Sequence, residues 1–130
     1  MIVVDSSAVI TIVKAEPDAR TFASTMRNAP ALAMAAPTKL EVMMVAGGQY
    51  GPEGLLKAQL LFTELAIQIL AWSEPLSDRA VDAFMEFGKG RHPAQLNFGD
   101  CMAYALAKSL DAPLLYKGGD FSKTDIRSAL

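Results

Sequence analysis

Cysteine and histidine are nearly absent: Cys101 and His92 are the only ones among 130 residues. A lone cysteine forms no internal disulfide, no CxxC redox pair and no thiolate zinc cage, and a lone histidine excludes multi-histidine metal sites. The scarcity fits a reducing cytoplasm. No apolar run approaches the ~18 residues that a membrane span needs, and Met1 to Asp5 carries no basic segment of the kind that opens a secretory signal. Charge of one sign is missing as well. Fourteen acids face twelve bases for a net charge of −2, so no basic field spans the molecule to hold nucleic acid non-specifically. Nucleotide-binding glycine patterns are also lacking: there is no GxGxxG, and Gly88-Lys89 is followed by Gly90 rather than by Ser or Thr.

What is present is a 52% hydrophobic chain of a length that suits one packed domain over residues 1–130. Ile2 to Val4 is a short β-branched run of the sort buried on both faces of a parallel sheet. Ser6 and Ser7 offer N-caps to a helix over Ala8 to Val13, and Pro17 opens a second one reaching about Arg27. Further strands are expected at Leu32 to Ala35, Ile67 to Trp72 and Pro113 to Tyr116. Helices are expected over Thr38 to Ala46, stopped by Gly47-Gly48; from Leu55 to Leu65, after the turn Gly51-Pro52; and over Ser77 to Phe87, with Val81, Phe84 and Met85 inward. Phe98 to Leu110 closes the series, with Phe98, Met102, Ala105, Leu106 and Leu110 on one stripe. Residues 88–97 form a long polar loop, and the tail from Lys117 is glycine-rich, then polar. Strands alternating with helices imply an α/β domain, a mostly parallel central sheet flanked by helices on both faces, with ligands beyond the carboxyl ends of its strands.

That edge collects carboxylates. Asp5 ends the first strand, Glu41 is expected in the first turn of the helix after the second, Asp100 opens the helix before the fourth, and Asp120 lies just past the fourth. Asp100 reaches this edge only if its helix crosses from the same side. Each acid also has an ordinary structural explanation: Thr38 and Glu41 match a capping box, Asn97 and Asp100 match a helix N-terminus, and Asp5 and Asp120 can hold turns. Several carboxylates at one place repel one another unless a cation joins them, and oxygen-only ligands with open water positions suit Mg²⁺ or Mn²⁺.

The segments 2–8 (IVVDSSA), Glu41, 96–107 (LNFGDCMAYALA) and 114–121 (LLYKGGDF) together resemble PIN-domain ribonucleases of the VapC type, the toxins of VapBC toxin–antitoxin modules. The resemblance covers essentially the whole chain. It implies a single PIN-like nuclease domain acting as a metal-dependent endoribonuclease, which hydrolyses RNA phosphodiester bonds with a metal-activated water and leaves 5′-phosphate and 3′-hydroxyl ends. Asp5, Glu41, Asp100 and Asp120 match the family's acidic quartet: Asp5 and Asp100 as principal metal ligands, Glu41 as a direct or water-mediated one, and Asp120 completing the site. Ser7 matches a hydroxyl that hydrogen-bonds within the pocket, and Asn97 is placed to position Asp100. Mg²⁺ is the implied cofactor, with Mn²⁺ able to substitute. A VapB-type antitoxin, a homodimer and an RNA substrate are the implied partners, with DNA engaged only through the antitoxin.

The pattern departs from the family after the last strand, where Tyr116, Gly118 and Gly119 replace common Thr, Asp and Asn or Asp residues. Asp120 is the remaining nearby acid, and Asp125 is read as a surface residue with a conceivable role as substitute. Lys89, Arg91, His92 and Lys117, with Lys123 behind them, are candidate contacts to RNA phosphates. The methionines are read as core filler or dimer surface and Cys101 as a small buried hydrophobe. An exposed part of the Leu55 to Leu65 helix or of the first two helices is a candidate landing site for an antitoxin helix or a second subunit. A receiver domain, the main rival fold of this length, is disfavoured because the third strand ends in Ala71-Trp72-Ser73 with no phosphoacceptor aspartate. A catalytically silent PIN-fold module that sequesters antitoxin or binds RNA remains the alternative.

Overall fold

The computed structural model describes residues 1–130. Four strands, β1 (Ile2–Val4), β2 (Leu32–Ala35), β3 (Gln68–Leu70) and β4 (Leu114–Leu115), form one all-parallel sheet in the order β3-β2-β1-β4. Register follows the apolar runs: Val3 faces Ala33 on one side and Leu114 on the other, and Met34 faces Ile69. The sheet is narrow, and its two middle strands are buried almost throughout, which is why they consist of Ile, Val, Ala, Leu and Met without polar interruption.

Helices α1 (Ser6–Val13), α2 (Ala19–Asn28) and α3 (Ala36–Glu64) cover one face, and α4 (Glu74–Phe87) and α5 (Phe98–Ser109) the other. Alternation along β1 divides the core between them: Val4 packs with Val9, Phe22 and Val42, whereas Val3 packs with Leu76, Phe87 and Leu106. The chain runs outward from β1 to β3 and then returns to the far side of β1 as β4. A switch in strand order therefore lies between β1 and β4, and the crevice beyond their carboxyl ends is the place where such sheets bind ligands.

Several boundaries differ from the sequence expectation. Helix α1 is capped by Asp5, whose carboxylate accepts from the Ser7 N–H at 3.1 Å, rather than by Ser6 or Ser7. Helix α3 starts at Ala36 directly off β2, with Pro37 in its first turn, so Glu41 sits in the second turn and the Thr38–Glu41 capping box does not form. Gly47-Gly48 does not stop this helix. It continues to Gly51, whose φ of 64° and ψ of −149° break it before Pro52 restarts it, a backbone geometry open essentially to glycine alone. Helix α4 begins earlier than expected, with Ser73 as its N-cap, and buries Leu76, Ala83 and Phe87; Val81, Phe84 and Met85 face outward. Phe98 likewise leaves the inward stripe and is 83% exposed. The polar tail is not loose: the Leu114 N–H donates to the Arg127 carbonyl and the Ala129 N–H to the Leu114 carbonyl, extending the sheet edge beside β4.

Candidate active site

Asp5 is the most constrained acid. It is 3% exposed, directly after β1. Its Oδ2 accepts from the Ser7 N–H at 3.1 Å and from the Ser7 hydroxyl at 2.6 Å. The hydroxyl in turn accepts the backbone N–H of Lys117 at 2.9 Å, which ties the exit of β4 to the start of α1. Oδ1 is buried with no hydrogen-bond partner in the chain. Leaving a buried carboxylate oxygen open is costly, and the cost shows in its acidity. Burial pushes the Asp5 carboxyl up from 3.8 to about 6, with the Ser7 hydrogen bonds opposing the rise and the negative charges of Asp100 and Glu41 adding to it.

Asp100 enters from the other face of the sheet. Asn97 caps α5 in a reciprocal box: the Asn97 side chain accepts the Asp100 N–H at 2.9 Å, and an Asp100 carboxylate oxygen accepts the Asn97 N–H at 3.1 Å. The ordinary capping role and the site role therefore coexist, because the box fixes the carboxylate that faces the crevice. Burial again raises the Asp100 pKa, against the Asn97 hydrogen bond, and the charges of Asp120 and Glu41 push it the same way. These mutual fields bring Asp5, Glu41, Asp100 and Asp120 into one electrostatic neighbourhood, so α5 does cross from the side that the site requires.

Glu41 reaches over the N-terminus of α5. A methyl group at Gly99 would lie 2.7 Å from Glu41 Oε2, so the carboxylate occupies the space that the missing side chain leaves. The glycine of the NFGD segment is thus explained by contact with an acid 58 positions earlier, a pairing that spacing alone does not reveal. Thr38, one turn before Glu41, is also buried with its hydroxyl unpartnered, another feature the sequence did not single out.

The flanking candidates divide. Lys89 is exposed on the loop after α4, whereas the Arg91 Nε–H donates to the Met85 carbonyl at 3.3 Å. His92 stacks edge-on against Phe87, and its Nδ1 accepts the Ala94 N–H at 3.0 Å, so the loop is held by its own aromatic anchor. Lys117 does not stand free for phosphate: its ammonium bonds Glu16 and, at 3.1 Å, Asp18, and these hydrogen bonds hold its pKa above the usual lysine value. Lys123 is exposed. Asp125 is no substitute for a missing acid, because its carboxylate accepts the Tyr104 hydroxyl and the Lys108 ammonium. Burial pushes the Cys101 thiol up to about 11, which removes it as a nucleophile at neutral pH.

The donor set suits a hard divalent cation. It is all oxygen, one oxygen of a buried carboxylate is open, and the acids raise one another's pKa values. No three of the chain's carboxylate, imidazole or thiol groups stand close enough together to hold a metal ion among themselves, so an ion at Asp5 would draw most of its shell from water. A cleft of about 380 Å³ lies beside this site between α4 and α5 and is lined by Trp72, Val81, Phe84, Phe98 and Met102 among others, with none of the four acids.

Comparison with known proteins agrees with this architecture. The PIN domain family model matches residues 2–127. Ribonuclease VapC30 of Mycobacterium tuberculosis is 37% identical over 124 residues, covering 95% of each chain. Among solved structures, VapC20 of Mycobacterium tuberculosis, described as a sarcin-ricin loop cleaving toxin, superposes with a TM-score of 0.80 at 14% identity over 97% of this chain and 96% of that one. VapBC2 of Rickettsia felis, solved bound to a DNA fragment from its promoter, gives 0.75 at 12% identity over 98% and 96%. With a family match and a curated relative each spanning nearly its whole length, the chain belongs to the PIN-domain family and, within it, to the VapC group.

Proposed function

We propose that the chain is an endoribonuclease toxin of a VapBC module, acting through Asp5, Glu41, Asp100 and Asp120 around Mg²⁺ or Mn²⁺. The observation that carries the reading is the open, buried Oδ1 of Asp5 within a group of mutually repelling carboxylates. The related proteins named VapC ribonucleases support it. A bound divalent cation supplies Lewis acidity, lowering the pKa of a coordinated water and offsetting charge on the phosphodiester. The chain's own residues do the rest. Ser7 fixes Asp5 Oδ2 and thereby aims Oδ1; Asn97 fixes Asp100; Gly99 admits Glu41; Asp120 closes the crevice from the β4 side. Lys89 and Arg91 border the approach for a phosphate backbone.

In this reading a water oxygen attacks phosphorus, the bond to the 3′ oxygen breaks, and 5′-phosphate and 3′-hydroxyl ends result. Attack by the ribose 2′-hydroxyl would need a free base and acid pair, and the one imidazole is held by Phe87 and Ala94. Replacing either acid tests the assignment: Asp5→Ala and Asp100→Ala should each abolish RNA cleavage while circular dichroism and antitoxin binding are kept. Cleavage at the wild-type rate by both variants would contradict it.

For partners, the exposed Leu55, Leu56 and Leu60 on the second half of α3, with Tyr50 just before the break, suit the apolar face of a VapB-type antitoxin helix. The outward Leu40, Met44, Val81, Phe84, Met85 and Phe98 suit a second copy of the chain in a homodimer. DNA would be reached only through the antitoxin. No helix is long and apolar enough to cross a membrane, and cytoplasmic action completes the proposal. The alternative, a silent module that keeps the fold to hold antitoxin or RNA, draws on the lack of a closed carboxylate cage.

A further inference from the structure

Lys117 touches both segments that leave the carboxyl edge of the sheet at the switch in strand order. It follows β4 by two residues. Its backbone N–H donates to Ser7 Oγ at 2.9 Å, and Ser7 Oγ–H donates to Asp5 Oδ2 at 2.6 Å. At its far end the ammonium bonds Glu16 and Asp18 in the connection between α1 and α2. Gly118, with φ of 103°, and Gly119 come next, and then Asp120. Two glycines restrain a turn weakly. The position of Asp120 therefore depends on what holds the turn at its ends: Lys117 before it, and after it the short helix over Phe121–Lys123, whose Phe121 is buried against Tyr116.

We propose that Lys117 is a positioning residue for the acidic site, with Glu16 and Asp18 as its anchor. It acts on Asp5 through Ser7 and on Asp120 through the Gly118–Gly119 turn. A hydroxyl that accepts an N–H has one proton to give, and here the N–H of Lys117 leaves that proton directed at Asp5. Oδ2 is thereby fully engaged and Oδ1 is left for a ligand. The ion pair itself is exposed, and exposed pairs add little to global stability. Its expected effect is on the geometry of the acids rather than on the fold. The inference rests on the reading of these acids as a cation site.

The test uses the full-length protein in four forms: wild type, Lys117→Met, Lys117→Arg and the double variant Glu16→Gln with Asp18→Asn. Two readouts are taken: the rise in melting temperature as Mn²⁺ is titrated in, which needs no RNA, and the separate kcat and KM for RNA cleavage. Residues that orient metal ligands typically change affinity or activity by about 10–100-fold. Lys117→Met and the double variant should each raise the Mn²⁺ midpoint by about tenfold or more on that scale. Both should lower kcat with KM little changed and leave the melting temperature without Mn²⁺ near wild type, and Lys117→Arg should recover most of the loss. The proposal is overturned if the Mn²⁺ midpoint does not move. It is also overturned if Lys117→Met raises KM alone while the double variant, which frees the ammonium, tightens RNA binding, since that pattern marks a phosphate contact. A wild type that responds to Mn²⁺ yet cleaves no RNA would remove the ribonuclease reading while the Mn²⁺ midpoints still decide the role of Lys117. A wild type with no Mn²⁺ response would remove both the cation site and this role.

Discussion

Asp5 holds opposing demands in one side chain. It caps α1, it ends a buried strand, and it keeps one oxygen without a partner. Burial raises its pKa from 3.8 to about 6, so the folded state holds its proton more tightly than the unfolded chain does. Stability is then greatest when Asp5 is protonated, begins to fall as pH rises past about 4, and the penalty is complete above about 6. A rise of that size corresponds to about 3 kcal/mol. In EDTA, Asp5→Asn should therefore raise the melting temperature at pH 7.5 and flatten its fall between about pH 4 and pH 6. The same variant should lose stabilisation by Mn²⁺, as thermal melts with and without the ion would show. A lower melting temperature for Asp5→Asn at pH 7.5 in EDTA would mean that the cap outweighs the desolvation. Gly99 gives a second prediction at this scale. Gly99→Ala crowds the end of a flexible glutamate rather than backbone, so melting temperature should hardly change while cleavage falls as Glu41 is displaced; unchanged kinetics would place Glu41 outside the reaction.

At the scale of elements, the sequence made the strands legible because a buried parallel strand has to be an apolar run, and Ile2 to Val4 and Leu32 to Ala35 are such runs. Helical faces were less legible. Val81, Phe84 and Met85 have helical spacing, yet so do Leu76, Ala83 and Phe87, and the second set is buried because it meets α5 and the sheet. A helix with apolar residues on more than one side does not announce which side faces in. Gly47-Gly48 misled for a related reason: glycine only weakens a helix, whereas Gly51 ends it through a conformation that other residues rarely adopt. Gly51→Ala should cost about 1–3 kcal/mol, the strain of a side chain in that region, measured by urea unfolding; a wild-type midpoint would show that the helix can continue through the break. The outward apolar face of α4 makes a prediction of its own. Phe84→Glu should shift the chain toward monomer in sedimentation analysis with little loss of stability, because Phe84 is already partly exposed.

For the molecule as a whole, the strand order explains why acids so far apart in sequence meet. β1 and β4 are parallel neighbours at the switch in strand order, so Asp5 and the Lys117–Asp120 turn leave the same edge of the sheet and share one crevice. Helix α3 brings Glu41 to it from one face of the sheet and α5 brings Asp100 from the other. The acids themselves were visible in the sequence as residues at strand ends and helix starts. Ser7 and Asn97 were visible beside them; the longer-range partners were not. The hydroxyl relay from Lys117 through Ser7, the contact between Glu41 and Gly99, and the diversion of Asp125 to Tyr104 all join segments that only the folded topology places together. The central claim is that this crevice uses a divalent cation to hydrolyse RNA. It is tested most directly by incubating total cellular RNA with antitoxin-free protein in Mg²⁺ or Mn²⁺ against EDTA, with Asp5→Ala in parallel, and identifying the new ends. The account predicts discrete products with 5′-phosphate and 3′-hydroxyl ends that vanish in EDTA and in Asp5→Ala. Cleavage that persists in EDTA, or that leaves 2′,3′-cyclic phosphates, would contradict it.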